Sequence, residues 1–409
     1  MERTSAGGQH VRRGIAVQRH VTRVVATLLV SALAAIAASC TFGDEDRGAN
    51  IDGLGSSLSK IRRLARNEGA LRLVSLPGYA EADWTEPFVR ETGCRIEATT
   101  ETDPAKIVNL VGDGDYDGVS APGEVAGELI ESSDVAPLAV RLVPNYEQVQ
   151  DGFVRTAHAS DGGPYGVPIG RGPNLLVYRT DAVPGGTDSS QLLWDVTPTL
   201  TGRLSLPDDP MLIADAALYL MSARSGLGIV DPYQLNEPQF RAALALLRKQ
   251  ARHVGEYVQP GDATRIDSFR SGESAVGIAR PAEVEAMLAE KIPHEAVKPV
   301  EGTTGWSDTW MVYARAANPN CMYLWMDYAV SAQVQAQIAE STGQAPANVG
   351  ACDLTQAEGH CAALHADDEA WWGDVYYRTT PLEDCDDPSR GETCKTLEEW
   401  QAAWAELRG

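Results

Sequence analysis

From Leu58 onward, short strand patterns alternate with helix patterns, and this alternation restricts the fold more than any other feature of the sequence. Residues 70–76 read as a strand halted by the turn pair Pro77-Gly78, residues 83–92 as a helix halted by Gly93, and residues 94–99 as a second strand. Helix 104–111, a short buried strand at 116–120 and helix 124–131 follow. The style resumes with strand 204–206, helix 213–222, helix 237–252, strand 275–279, strand 309–314 and a long helix 320–340. In helix 237–252, Asn236 is placed to cap and Phe240, Ala243, Leu244 and Leu247 share one face. Strands alternating with helices of this length build parallel sheets covered by helices, so the expected class is α/β.

A chain of 409 residues is too long for one compact core, and two lobes are expected. Two extended segments, 165–178 and 305–313, read as crossings between them and so as a hinge. The lobes are then 68–170 with 310–409, and 171–309. Ligands of open α/β sheets lie beyond the carboxyl ends of strands. The loops that begin at Leu76, Ser120, Ile169, Leu206 and Ala279 are therefore candidates for a site.

The N-terminus reads as an export signal over residues 1–39. Arg3, Arg12, Arg13, Arg19 and Arg23 precede an apolar run at 24–38, which is short for a permanent span. Small residues Ala37-Ala38-Ser39 lead into Cys40, as in a bacterial lipobox, although Ala37 stands where Leu is usual. A lipid-anchored Cys40 followed by a flexible tether over 40–67 is expected, with simple cleavage as the alternative. Loss of the signal takes the formal charge from −23 to −27, because the segment holds five Arg and one Glu. So acidic a chain is not a nucleic-acid binder.

Export also decides how the cysteines are read. Six remain after Cys40, and six allow 15 pairings. Short loops favour Cys352–Cys361 and Cys385–Cys394, which leaves Cys94–Cys321. Cys352, His360, Cys361 and His365 have the residue types of a zinc site, but an oxidising compartment disfavours one. Residues 113–124 fit the spacing of a calcium loop ending at Glu124, yet Ser120 and Pro122 interrupt it. No G-x-S-x-G, H-E-x-x-H or P-loop lysine motif occurs, so neither catalysis nor a cofactor is expected.

Several stretches in this order resemble the extracellular solute-binding proteins of ABC importers, of the spermidine/putrescine type. They include Tyr116-Asp117-Gly118-Val119-Ser120, Tyr165-Gly166-Val167-Pro168 and Asn174-Leu175-Leu176-Val177-Tyr178. Gly78-Tyr79 with Pro87-Phe88 and Glu91-Thr92-Gly93-Cys94, the run from Ile213 to Tyr219, Gly305-Trp306-Ser307-Asp308-Thr309-Trp310 and Ala345-Pro346-Ala347-Asn348 complete the set. The resemblance implies a type II periplasmic-binding-protein fold, monomeric, that closes on a polyamine and docks on a membrane permease. It implies ligand contacts at Tyr79, Glu124, Asp209, Trp306 and Asp308, with aromatic faces on the methylene chain and carboxylates on the ammonium groups. Each also has a plainer reading: Trp306 as core, Asp209 as a turn residue, Glu124 as a first-turn helix acid.

This chain departs from that pattern. Arg280 stands where relatives carry a stacking Trp, Gln344 where some carry Tyr, and Arg171 lies in the first crossing. A guanidinium in a cleft repels a diamine and suits a carboxylate. The alternative is therefore the same fold binding an amino acid or another carboxylate-bearing solute. A surface hydrolase and an adhesive lipoprotein are more distant rivals.

Overall fold

The computed structural model describes residues 51–154, 159–160, 163–259, 261–385 and 393–409. The export signal, Cys40 and the first part of the expected tether lie outside them. β1 (Ala70–Ser75), β2 (Arg95–Thr100) and β3 (Gly118–Ala121) lie parallel, with β1 in the middle. A small hairpin of β4 (Ala159–Ser160) and β5 (Gly163–Pro164) leads into β6 (Gly166–Pro173). After Asn174 the chain enters a second sheet as β7 (Leu175–Arg179), then adds β8 (Leu204–Pro207), β9 (Val254–Val258), β10 (Val276–Ala279) and β11 (His294–Val297). It returns through β12 (Thr303–Val312), β13 (Ala345–Pro346) and β14 (Val375–Tyr377). The first sheet runs β13-β6-β12-β3-β1-β2 with β14 beside β12, and the second runs β11-β7-β10-β8-β9.

Each sheet has its own core, which is what separates the lobes. Leu71, Val119, Trp310, Phe88 and Trp325 belong to the first. Leu204, Leu206, Ile213, Leu247 and Trp400 belong to the second. The helix ends follow local chemistry. Gly93 closes helix Ala82–Thr92 at φ +81, a left-handed conformation that costs glycine least. Asn236 and Gln239 form a reciprocal capping box on helix Glu237–Ala251.

The crossings differ in detail from the sequence reading. β6 keeps the first sheet to Pro173, and β12 rejoins it at Thr303 rather than at 310. Asn174 fastens the two crossings together: its N–H donates to Thr304 O at 2.8 Å and its Nδ2 to Thr304 Oγ1 at 2.7 Å. The C-terminal helix Leu397–Arg408, expected with the first lobe, buries Trp400 and Trp404 in the second core. The expected tether is also shorter. Helix Leu58–Glu68 buries Ile61 and Ala65 in the first core, and Glu68 accepts the N–H groups of Asn320 and Cys321.

The long helix expected at 320–340 is two helices, Pro319–Ala329 and Ala332–Thr342. No Pro or Gly marks the break. Side chains satisfy the freed carbonyls instead: Asn348 Nδ2 donates to Val330 O, and Gln335 Nε2 to Ala329 O. Disulfides join Cys94 to Cys321, Cys352 to Cys361 and Cys385 to Cys394. No helix among the described residues is long and apolar enough to cross a membrane.

Candidate functional site

Four of the singled-out residues follow the carboxyl ends of parallel strands. Tyr79 and Glu124 come after β1 and β3, and Asp209 and Arg280 after β8 and β10. The connections between the sheets bring these ends together, as the rule for open α/β sheets requires. Trp306 and Asp308 sit two apart on β12 and so share a face. Opposite them in β6 stand Gly172 and Gly170. A Cβ on Gly172 would fall 2.1 Å from the Trp306 ring, and one on Gly170 would fall 2.6 Å from the Gln344 carboxamide. The two glycines therefore make the space that these larger side chains fill.

Tyr79, Asp308 and Gln344 form one buried cluster. Tyr79 Oη donates to Asp308 Oδ2 at 2.6 Å and lies 3.1 Å from Gln344 Oε1. The Tyr79 carbonyl is held in turn by Trp84 Nε1 at 3.2 Å. Burial pushes the Asp308 carboxyl up to about 6, against the Tyr79 hydrogen bond and the nearby Arg280 charge. Burial likewise drives the Tyr79 phenol well above its ordinary value, with the Asp308 charge acting the same way.

Arg280 approaches from the other lobe. Its guanidinium lies over the Trp306 ring, 4.6 Å from the centroid. Its own N–H donates to Glu283 Oε2 at 2.8 Å, and Glu283 is locked in turn by Arg265 at 2.9 Å. Arg265 and Glu283 are both buried, so this pair fixes the loop that presents Arg280.

Glu124 and Asp209 meet a partner that the sequence reading did not name. Arg378 Nη1 donates to Glu124 Oε1 at 2.8 Å, and Arg378 Nη2 donates to Asp209 Oδ2. Burial works against the Arg378 charge, but Asp209 and Glu124 outweigh it and hold the guanidinium above its ordinary pKa. Nearby, Thr304 Oγ1 donates to Asp215 Oδ1 at 2.7 Å, and burial raises that carboxyl to about 7. Arg280, Arg378, Asp215, Tyr233 and Thr304 surround a cavity of about 20 Å³, room for roughly one water. Glu124 Oε2, Gln344 Nε2 and Tyr233 Oη are buried with no hydrogen-bond partner among the described residues.

The family model for bacterial extracellular solute-binding proteins matches residues 83–362. The chain belongs to that family. This solute-binding protein is 26% identical over 285 residues to the putrescine/agmatine-binding protein of Pseudomonas aeruginosa, covering 66% of this chain and 76% of that one. It is 22% identical over 278 residues to spermidine/putrescine-binding periplasmic protein 1 of Haemophilus influenzae, covering 67% and 74% respectively. The solved TpPotD lipoprotein of Treponema pallidum shares the fold, with a TM-score of 0.68 at 15% identity over 83% of this chain and 99% of that one. Membership places the solute-binding protein outside the cytoplasm, serving an ABC permease with a small polar solute. The family is one of binding proteins rather than enzymes.

Not every expected residue of the solute-binding protein joins the cluster. Arg171 pairs in register with Ser307, on the β12 face opposite Trp306 and Asp308. It is buried between Phe153 and Trp372, at 4.6 and 4.3 Å from the ring centroids, and bonds Glu369 at 2.5 Å. Its charge is used internally, away from the cleft. The calcium pattern is dispersed as well. Asp117 accepts from the N–H groups of Arg72 and Asn318, and Glu124 is engaged by Arg378. The zinc pattern fails because Cys352 and Cys361 are bonded to each other. Arg378, Asp215 and Tyr233 were missed. Asp215 carried a local signal, a carboxylate one turn into an otherwise apolar helix, Leu212–Ala223.

Proposed function

We propose that this protein captures a polyamine or a related small amine in the cleft and delivers it to the permease, tethered to the membrane by a lipid on Cys40. The observation that carries this is the charge balance of the site. Apart from Arg265 and Glu283, which pair with each other, Glu124, Asp209, Asp215 and Asp308 converge there against two guanidinium groups, those of Arg280 and Arg378. The raised carboxyls of Asp308 and Asp215 mark sites where a negative charge lacks compensation, and an ammonium group supplies it. Trp306 and Tyr79 are buried aromatic neighbours of this cluster, with the Arg280 guanidinium over the Trp306 ring, and would meet the apolar part of such a solute only once that guanidinium moves aside. The names of the relatives from Pseudomonas aeruginosa and Haemophilus influenzae support the same class.

A second reading is an amine that also bears a carboxylate. Among the described residues no carboxylate lies within ion-pair distance of the Arg280 guanidinium, which rests on the Trp306 ring. Titration calorimetry with putrescine, spermidine, agmatine, glycine betaine and glutamate tests both. Heat from the amines and none from glutamate is expected. Tight glutamate binding with no response to any amine would remove the proposal. For the anchor, Cys40→Ser is expected to move the protein from the detergent phase to the aqueous phase.

A further inference from the structure

Arg378 lies beyond residue 362, where the family match ends, yet it reaches the centre of the site. It takes one carboxylate from each lobe. Glu124 opens helix Gly123–Glu131 of the first lobe, and Asp209 follows β8 of the second. Its backbone belongs to the first lobe. The Arg378 N–H donates to Gly305 O at 2.9 Å, and its carbonyl oxygen would lie 1.9 Å from a Cβ on Gly123. Two residues on, Thr380 Oγ1 donates to Glu124 O at 2.6 Å. The guanidinium is thus fixed beside Glu124 and meets Asp209 where the lobes face each other. Its side chain is only 12% exposed, and it borders the same cavity as Asp215 and Arg280.

An interlobe pair of carboxylates asks for a cation, and here the chain supplies its own. Of that pair only Glu124 Oε2 stays without a partner among the described residues, and the other carboxylates open to a solute amine are those of Asp308 and Asp215. A second ammonium on the same solute would meet Arg378 on one side and Arg280 on the other, in a cleft where like charges are poorly screened. We propose that Arg378 is a specificity-determining residue: it holds the cation position between Glu124 and Asp209, so the cleft favours solutes with one cationic end over diamines. This inference rests on the amine reading above and narrows it.

The experiment compares putrescine with 4-amino-1-butanol, which has the same length and one ammonium, by titration calorimetry. The wild type is expected to bind the amino alcohol about tenfold or more tightly than putrescine. Arg378→Met is expected to cancel or reverse that preference, and Arg378→Lys, which keeps the charge, to retain it. Circular dichroism checks the fold. If Arg378→Met does not fold, the double variant Arg378→Met/Asp209→Asn removes one uncompensated carboxylate and should show the same change in preference. A wild type that prefers putrescine, or a ratio unchanged by the loss of the guanidinium, overturns the inference and leaves the amine reading standing. No heat from either amine with any variant overturns both.

Discussion

Tyr79 and Asp308, 229 residues apart, share a 2.6 Å hydrogen bond in which the phenol donates to the carboxylate. The bond ties the loop after β1 to the middle of β12, the strand that carries the chain back from the second sheet. A buried carboxylate with one hydrogen-bond donor is only partly compensated, which is why burial still raises the Asp308 carboxyl despite the Tyr79 bond.

Replacing Tyr79 by Phe removes that donor while keeping the ring. The expected result is a loss of about 1–3 kcal/mol of stability in urea unfolding, the usual cost of stranding a buried acceptor. The Asp308 carboxyl should rise further, since the Tyr79 hydrogen bond is the largest of the influences that lower it, ahead of the Arg280 and Arg378 charges. Amine affinity at neutral pH should fall in step. An unchanged unfolding midpoint would show that the phenol contributes nothing to holding Asp308.

The raised carboxyls set a pH dependence with a definite sign. Asp308 sits at about 6 and Asp215 at about 7, both above the ordinary 3.8. Between pH 4 and 7 the folded protein keeps protons that the unfolded chain has released. The stability these groups contribute is therefore full below about pH 4 and is lost as pH rises through 6 to 7. An Asp308→Asn variant should gain on the wild type in urea midpoint over that range. Amine binding should run the other way, tightening from pH 5.5 to 7.5 and releasing protons, which calorimetry in buffers of different ionisation enthalpy detects. A difference between variant and wild type that is flat with pH would argue against a raised Asp308.

The Cys94–Cys321 bridge spans 227 residues and joins the residue before β2 to helix Pro319–Ala329. Chain-entropy reasoning gives such a closure about 5.5 kcal/mol. The double variant Cys94→Ser/Cys321→Ser should lower the urea midpoint far more than Cys352→Ser/Cys361→Ser, whose loop spans 9 residues. Equal losses would point to local packing rather than chain constraint.

What could be read from the sequence was what is decided locally. β1, the Gly93 stop and the Asn236 cap each rest on neighbouring residues and came out within a residue or two. Tyr79, Trp306, Asp308 and Gln344 were singled out, and they lie close together: the first shares hydrogen bonds with the last two, and Trp306 and Asp308 stand on one face of β12. What escaped depends on contacts between distant segments. The break after Ala329 is satisfied by Asn348, the C-terminal helix finds its core against Tyr233 and Phe240, and Arg378 finds Glu124 across 254 positions. Arg378, rather than Arg280, pairs with Glu124 and Asp209, which leaves Arg280 on Trp306.

That rearrangement makes Arg280 the residue that separates the two readings of the solute. Its charge lies over an aromatic face and lowers the Asp308 carboxyl, so it already acts on the cluster that would receive an ammonium. Arg280→Met keeps much of the stem that covers Trp306 and removes the charge. If the solute is a simple amine, the loss of like-charge repulsion should tighten binding about tenfold, and 4-amino-1-butanol in a calorimeter would report it. If the solute carries a carboxylate, the same change should weaken binding of 4-aminobutyrate by tenfold or more, because a buried carboxylate would lose its partner. The two outcomes have opposite signs on paired ligands of equal length. A variant that binds both as the wild type does would show that the Arg280 guanidinium faces away from the bound solute.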